Sequence, residues 1–397
     1  MNVEQLLVEA KELLPKMQKN RRNLHKHPEL GFDLAYTKEY VKKALYEIGL
    51  EPIEMGRAGV ITLVGGKKEG KCVLLRADMD ALPMEEEADV TFRSENPGKM
   101  HACGHDMHTA MLLGAAEILK KHESEIQGVI KLEFQPAEEI FRGSKDMLEA
   151  GLLNNPKVDA AIMIHVIAGA AAPSGSIIAP SEGGMTTTSC EQYHIVVKGK
   201  GGHGAMPHLS VDPITVAAQI HLSLQEINSR EMDPKEYAVF TTGKFQAGEV
   251  SNVIPENAHM WGTIRTADND GKMTEFFHTR MTDISEGIAK AMRCEAGVEF
   301  FDFCPCLKID DDLAKSCINS LKELLGQGVI SMVPSPQAGS EDFAFVSHEV
   351  PSYAAYLVAG STKDGYMVSQ HNPKVKYDDS VLHFVAAAYI QMALGLL

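Results

Sequence analysis

Ten residues about a quarter of the way along the chain, Met100-His-Ala-Cys-Gly-His-Asp-Met-His-Thr109, carry one thiol, three imidazoles and a carboxylate. Such a stretch is poor material for an apolar core. It is good material for a metal centre, because thiolate and neutral imidazole are preferred ligands of zinc-like ions. A second polar knot, Phe134-Gln-Pro-Ala-Glu-Glu139, follows roughly one helix and one strand later. Its adjacent carboxylates suit a division of labour in which one binds a cation and the other moves a proton. Neighbours on a regular strand point to opposite faces, so both can reach one cleft only at a strand end, where Pro136 breaks the regularity.

The elements that must position these groups are readable from periodicity. Residues 3–24 read as one amphipathic helix, with Leu6, Leu7, Ala10, Leu13, Leu14 and Met17 at spacings of three and four. It ends at Asn23-Leu-His-Lys-His-Pro-Glu-Leu-Gly31, where His25 and His27 suit capping or support of a site better than metal ligation. A second helix covers about 36–48 and leads to a strand at Val60–Val64. Cys72-Val-Leu-Leu-Arg-Ala-Asp-Met-Asp80 is apolar on both faces, as in a parallel sheet covered by helices. Ligands of such sheets gather at the carboxyl ends of strands. Asp78 and Asp80 fall there, as do Glu138 and Glu139 after the strand Val129–Phe134, and His165 after Ala160–Ile164. Three strands delivering acid or imidazole at the same end point to an α/β catalytic domain with a mainly parallel sheet.

From residue 186 the pattern changes to alternating strands with a helix to about Ile227, capped by Asp212 with Pro213 behind it. The expected organisation is therefore a catalytic domain of residues 1–185 and 304–397, with a smaller α+β domain, 186–303, inserted as a lid or dimerisation unit. The returning segment is expected to hold a helix over 312–325 closed by Gly326 and a final amphipathic helix from about 378.

Composition narrows the function classes. A length of 397 residues suits two domains, and a net charge of −16 argues against nucleic-acid binding, which relies on basic patches. Seven scattered cysteines do not suggest a disulfide framework. With no export signal or long apolar run apparent, a cytoplasmic protein without membrane contact is expected. Cys304-Pro-Cys306 lacks the spacing of a redox or metal pair and reads as packing.

Six motifs in order carry a resemblance. They are Arg76-Ala-Asp-Met-Asp-Ala-Leu-Pro83, His101-Ala-Cys-Gly-His-Asp106, Phe134-Gln-Pro-Ala-Glu-Glu139, Gly201-Gly-His-Gly-Ala-Met-Pro-His208, Asn252-Val-Ile-Pro255 and Gly339-Ser-Glu-Asp-Phe343. Together they resemble the dinuclear metallo-aminoacylase/carboxypeptidase family, in the branch of N-acyl-amino-acid amidohydrolases, hippurate hydrolases and auxin-conjugate hydrolases. The resemblance implies two divalent ions per subunit, whether zinc, manganese, cobalt or nickel. It implies Cys103, His105, Glu139, His165 and His371 as their ligands, with Glu138 as general base and Asp78 orienting a metal-binding histidine. His203 would reach an active site, in dimeric relatives the partner subunit's, while Asn252 and Arg265 would sit near the substrate carboxylate. A homodimer hydrolysing a small N-acyl-amino acid is the expectation.

Three rival readings exist: a dipeptidase or aminopeptidase on the same site, a thiol hydrolase with Cys103 as nucleophile, and a metal-dependent binding protein. Glu138 beside Glu139 weighs against the last. The chain departs from the branch at Met107, where relatives commonly have glycine, and at Val166-Ile-Ala-Gly-Ala-Ala-Ala-Pro173, where they have prolines. Both changes bear on substrate preference.

Overall fold

The computed structural model describes residues 1–268 and 270–397, which divide into two compact units. The first comprises Met1–Gly184, Lys308–Pro334 and Asp342–Leu397, and the second Met185–Leu307 and Ser335–Glu341. This division places 304–307 and 335–341 in the second unit, whereas contiguity along the sequence put both in the first.

The N-terminal part of the first unit opens with α1 (Val3–Glu12), α2 (Leu14–Lys26) and α3 (Ala35–Glu47). The single helix expected over 3–24 is broken at Leu13, because Pro15 follows at the start of α2 and has no N–H to continue the α1 ladder. Strands β1 (Ile53–Met55), β2 (Gly59–Gly65) and β3 (Cys72–Asp78) come next, then α4 (His105–Lys121), β4 (Val129–Gln135), α5 (Gly143–Glu149), β5 (Ala160–Ile167) and β6 (Ile177–Pro180). Every residue of β3 is buried, as its unbroken apolar run requires.

The short β7 (Gly184–Met185) leads to the second unit, built from β8 (Cys190–Lys198), β9 (Gly202–His203), α6 (Pro213–Glu226), β10 (Ala238–Ala247), β11 (Val253–Ile254), β12 (Asn257–Thr266), α7 (Lys272–Ala291) and β13 (Glu295–Cys304). Its four-stranded sheet runs β10-β12-β8-β13 with every pairing antiparallel. Tyr193, Ile195, Val197, Met260, Ile264 and Phe277 share its core with α6 and α7. Asp212 caps α6 as expected, accepting the N–H of Ile214 at 2.9 Å.

The chain completes the first unit through β14 (Lys308–Ile309), α8 (Asp311–Leu325), β15 (Val329–Met332), α9 (Ala344–Glu349), β16 (Ser352–Val358) and α10 (Leu382–Leu396). The large sheet of this unit has the order β1-β2-β4-β3-β5-β16-β6-β15. Its centre, β4-β3-β5-β16, is parallel, and antiparallel pairings lie towards the edges. Both α4 and α10 pack against this sheet. The window Asp379–Leu396 is apolar and long enough to pass for a membrane span, a feature the sequence reading passed over. It is 67% buried inside the protein, so it is packed as a core helix.

His122, ending α4, joins that helix to α1. It bonds Glu125 at 2.7 Å and Glu9 at 3.0 Å. The hydrogen bond to Glu125 raises its pKa above the usual imidazole value, burial opposes this, and Glu9 adds to the rise. A raised folded-state pKa gives stability that is complete below the ordinary histidine value and lost as pH climbs through the raised one. The melting-temperature gap between the wild type and His122→Gln should therefore be larger at about pH 5.5 than at about pH 9. Equal gaps in a differential scanning experiment would contradict the assignment.

Candidate metal centre

The carboxyl ends of β3, β4 and β5 and the start of α4 converge in the first unit. Gly104 precedes α4 with φ +95°, and a Cβ there would lie 2.4 Å from Val166 Cγ2 and 3.2 Å from the Tyr377 ring. Only glycine turns the chain at this spot without a clash. The turn is held from behind by the Ala102 carbonyl, which accepts both the Tyr377 hydroxyl and the His371 N–H, each at 3.0 Å. The Cys103 segment and the His371 loop are thereby joined, although 268 residues separate the two side chains in sequence.

Asp80 fixes the opposite wall. Its two carboxylate oxygens accept the backbone N–H groups of Glu138 at 3.0 Å and Glu139 at 3.2 Å. Its carbonyl oxygen accepts the Nδ1 proton of His105 at 2.9 Å. The His105 Nε2 lies 3.5 Å from Asp78 Oδ2 and 3.9 Å from both Glu138 Oε2 and Glu139 Oε1. His165 donates its Nδ1 proton to the Val166 carbonyl at 2.6 Å and turns Nε2 towards Cys103 Sγ at 3.4 Å. His371 Nε2 lies 3.6 Å from Glu139 Oε2.

Cys103 belongs to two groups whose donor atoms lie within 4.8 Å of one another, one with His105 and His165 and the other with Glu139 and His371. His105, Glu138 and Glu139 form a third. The donor set fits divalent ions on an independent ground: His105 Nε2 and Glu139 Oε1 are buried without a hydrogen-bond partner, facing each other. Burying such atoms unpaired is costly, and a cation between them removes the cost.

Electrostatics point the same way. Burial, reinforced by Glu139, pushes the Cys103 thiol well above its usual range. Burial likewise lifts Glu139 to about 7, with His105 opposing and Asp80 and Asp78 adding. Burial works against a charged His105, yet Asp78 and Cys103 outweigh it and drive its pKa well up. Cys103 and Glu139 are thus costly to ionise unaided, and a bound cation would favour their charged, ligating forms. His165 and His371 are held below the ordinary value chiefly by burial, so both imidazoles are neutral and able to ligate.

Behind the site, Asp78 and His108 are fully partnered by protein groups. Asp78 pairs with Arg76 Nη1 at 2.6 Å and takes the Nδ1 proton of His108. Despite burial, Arg76, His105 and His108 keep its pKa well below the carboxylate range. His108 Nε2 accepts the Val166 N–H at 2.8 Å, so both its nitrogens are committed and it is not a spare ligand. The resemblance implies that Asp78 orients a metal-binding histidine; its Oδ2 lies 3.5 Å from His105 Nε2, while the bond on His105 Nδ1 comes from the Asp80 carbonyl. On the far side Asp106 is clamped by Arg21 at 2.7 Å and by His25 Nδ1 at 2.8 Å, and His25 Nε2 reaches Glu86 at 3.1 Å. His27 bonds the Asn23 carbonyl at 2.9 Å and caps α2.

Six of the sequence-derived residues, Cys103, His105, Glu138, Glu139, His165 and His371, come together in this way. Asp78 stands in the layer behind, and the remaining three lie in the second unit. His203 is exposed on β9, opposite Val253 on β11, and its Nδ1 accepts the Ala205 N–H at 3.1 Å. The Asn252 carbonyl takes the Gly204 N–H at 2.9 Å, so the His203 and Asn252 loops adjoin. Arg265 on β12 donates to the Ala338 carbonyl at 3.0 Å and Ser340 Oγ at 2.9 Å. Met107 and Val166, the departures noted in sequence, are fully buried.

Asp80→Ala removes the acceptors that hold both glutamate backbones. Second-layer losses of this kind cost about 10–100-fold in metal affinity or activity, and a drop of that size is expected in a chelator-competition titration. Unchanged affinity and turnover would show that Asp80 is dispensable.

Comparison with known proteins agrees with this geometry. The family model described as peptidase family M20/M25/M40 matches residues 74–394. N-acetylcysteine deacetylase of Bacillus subtilis is 34% identical over 375 residues, 94% of each chain. IAA-amino acid hydrolase ILR1-like 2 of Arabidopsis thaliana is 36% identical over 389 residues, 96% of this chain and 85% of that one. Among solved structures, the Bacillus subtilis YXEP protein, described as a dinuclear metal binding peptidase from the M20 family, superposes with a TM-score of 0.80 at 30% identity, covering 97% of this chain and 98% of its own. The chain therefore belongs to the peptidase M20/M25/M40 family, and it is a metal-dependent hydrolase of amide bonds.

Proposed function

We propose that this protein cleaves N-acyl-amino acids to a carboxylic acid and a free amino acid, with two divalent ions held by Cys103, His105, Glu139, His165 and His371. The observation that carries the reading is the double membership of Cys103: its sulfur lies in one donor group with His105 and His165 and in another with Glu139 and His371. A thiolate shared by two donor groups would allow two ions to be held side by side. The names of the two curated relatives, a deacetylase of N-acetylcysteine and a hydrolase of auxin–amino-acid conjugates, give the substrate class. A mixed sulfur, nitrogen and oxygen set suits zinc, manganese, cobalt or nickel.

When bound, such ions acidify water and polarise the scissile carbonyl. The chain's own residues do the rest. Glu138, held by the Asp80 carboxylate through its backbone N–H, takes the proton of the attacking water and returns it to the leaving amine. Its Oε1 is 3.4 Å from the Asp342 N–H, a contact that fixes the carboxylate's orientation. His203 donates to the oxyanion of the tetrahedral intermediate. Asn252 and Arg265 hold the substrate carboxylate, for which a guanidinium offers a planar pair of donors.

The second unit exposes Met206, Leu209, Ile214, Leu222, Val250 and Val253, each at least 41% accessible. A homodimer would cover such side chains, and we assign them to one; a monomer by light scattering would exclude this. None of the seven cysteines forms a disulfide, which suits a reducing cytoplasm, and the net charge of −16 leaves nucleic acid an unsuitable partner.

Two measurements test the reading. Release of amino acid from N-acetyl-, N-benzoyl- and long-chain acyl substrates should vanish on chelation and return with metal, while free dipeptides remain intact. Dipeptide cleavage would move the protein to the peptidase side of the family, and indifference to chelation would overturn the metal site. Glu138→Gln should keep full metal content and lose at least about 100-fold in turnover; persistent activity would remove Glu138 as the base.

A further inference from the structure

Residues 83–99 form no helix or strand. Their ends are pinned together, because Leu82 and Met100 exchange two backbone hydrogen bonds of 3.0 Å. The stretch is an Ω-loop, set between Asp80 and the Cys103 turn. A connection of more than about 12–15 residues without regular structure is uncommon in a compact domain and usually carries a function.

The inner side of this loop grips the end of α2. Glu86, only 3% exposed, accepts the Nε2 proton of His25 at 3.1 Å and the Ser94 N–H at 2.6 Å. The Phe92 ring stands perpendicular to that of His25 at 5.3 Å, and the Arg21 guanidinium lies 4.5 Å over it. The Glu95 N–H donates to the Lys26 carbonyl at 2.7 Å, and the Asn96 amide to the Pro28 carbonyl at 3.0 Å. The outer side meets the segment that carries His371. There the Glu87 N–H donates to the Pro373 carbonyl at 2.8 Å, and Lys374 Nζ lies 3.6 Å from the Glu87 carboxylate. That segment needs outside support: residues 365–378 hold no helix or strand, and the His371 side chain is 55% exposed on a backbone with φ +58°.

We propose that the 83–99 loop is a brace for His371, and that Glu86 and His25 are the positioning residues that anchor it. Glu86 and Glu87 are consecutive, so the residue that grips α2 sets the place of the residue that grips Pro373. The anchor is an ion pair. Burial works against a charged His25, yet Asp106 and Glu86 hold its pKa above the usual imidazole value. Burial also opposes charge on Glu86, and His25 outweighs it and lowers the carboxyl. Breaking such a pair is costly, since the remaining partner is left charged and unsolvated. His25 also donates its Nδ1 proton to Asp106, next in sequence to His105, at 2.8 Å. One imidazolium thus ties the His371 segment to the helix start that bears His105. The inference rests on the proposed role of His371 as a ligand.

Two variants separate the links. Glu86→Gln keeps the shape of the side chain and removes the charge that faces His25. Glu87→Pro keeps that anchor and removes the N–H that Pro373 accepts. In the protein as isolated, amide exchange over residues 367–376 should quicken about tenfold or more in both variants, with the amides of β5 and α10 unchanged. In chelator competition, affinity for one ion of the two should fall about 10–100-fold while the other is retained. Turnover should recover in excess metal with KM unaltered. Unchanged exchange over 367–376 in both variants would overturn the brace. Faster exchange throughout the unit, or loss of both ions together, would overturn it too, because a general scaffold behaves in that way. Quickened local exchange in the variants, with a wild type that holds no second ion, would sink the two-ion reading and leave the brace standing.

Discussion

Taking an ionised carboxylate out of water costs several kcal/mol unless partners replace its hydration, and this protein buries five beside one another. Asp78, Asp80, Asp106 and Asp342 have no accessible surface, and Glu138 only 5%. Each is answered. Arg76, itself fully buried, reaches Asp78, Asp342 at 3.0 Å and Gln135 at 3.0 Å. Arg21 and His25 answer Asp106, while two backbone N–H groups answer Asp80. The strands, the α4 turn and the returning segment at Asp342 must all be in place before these charges can be buried. The fold and the site are therefore one electrostatic solution.

That saturation selects the ligands. Asp78 and His108 belong to a donor group compact enough to hold an ion, yet every one of their ring and carboxylate partners is already supplied by protein. Among the residues around Cys103, the atoms left facing inward belong to His105, Glu139, His165 and His371. Support from behind is also what makes these good ligands: the Asp80 and Val166 carbonyls fix the proton on Nδ1 of His105 and His165, leaving Nε2 to ligate.

Sequence carried the fold class, and it marked the residues that the structure brings together. Cys103, His105, Glu138, Glu139 and His165 were legible because each sits at a strand end or helix start that periodicity marks. Asp80's role was not, since its partners Glu138, Glu139 and His105 are 25 to 59 positions away and only folding brings them near. The strand β16 went unread: Ser352-Tyr-Ala-Ala-Tyr-Leu-Val358 has no alternation, yet it pairs in the middle of the sheet between β5 and β6. The final helix was expected to be amphipathic, but it is buried on nearly every side, so burial and not a polar face decides its sequence.

Backbone strain resolves the puzzle of two adjacent glutamates serving one cleft. Ala137 and Phe141, flanking the Glu138–Ile140 turn, both have φ of +54°, and His371 has +58°. A non-glycine residue in that region costs about 1–3 kcal/mol, so three such positions in one place need compensation. The Ala137 N–H bonds the Gly31 carbonyl at 3.1 Å, and the Ala137 carbonyl accepts the N–H groups of Arg142 and Gly143. Gly143 itself has no alternative, because a Cβ there would fall 1.6 Å from the Pro136 carbonyl oxygen. A regular strand would have sent Glu138 and Glu139 to opposite faces. The left-handed turn, closed by these bonds and by Asp80, turns both carboxylates towards His105, and strain that lowers stability here is the means by which a ligand and a base occupy consecutive positions.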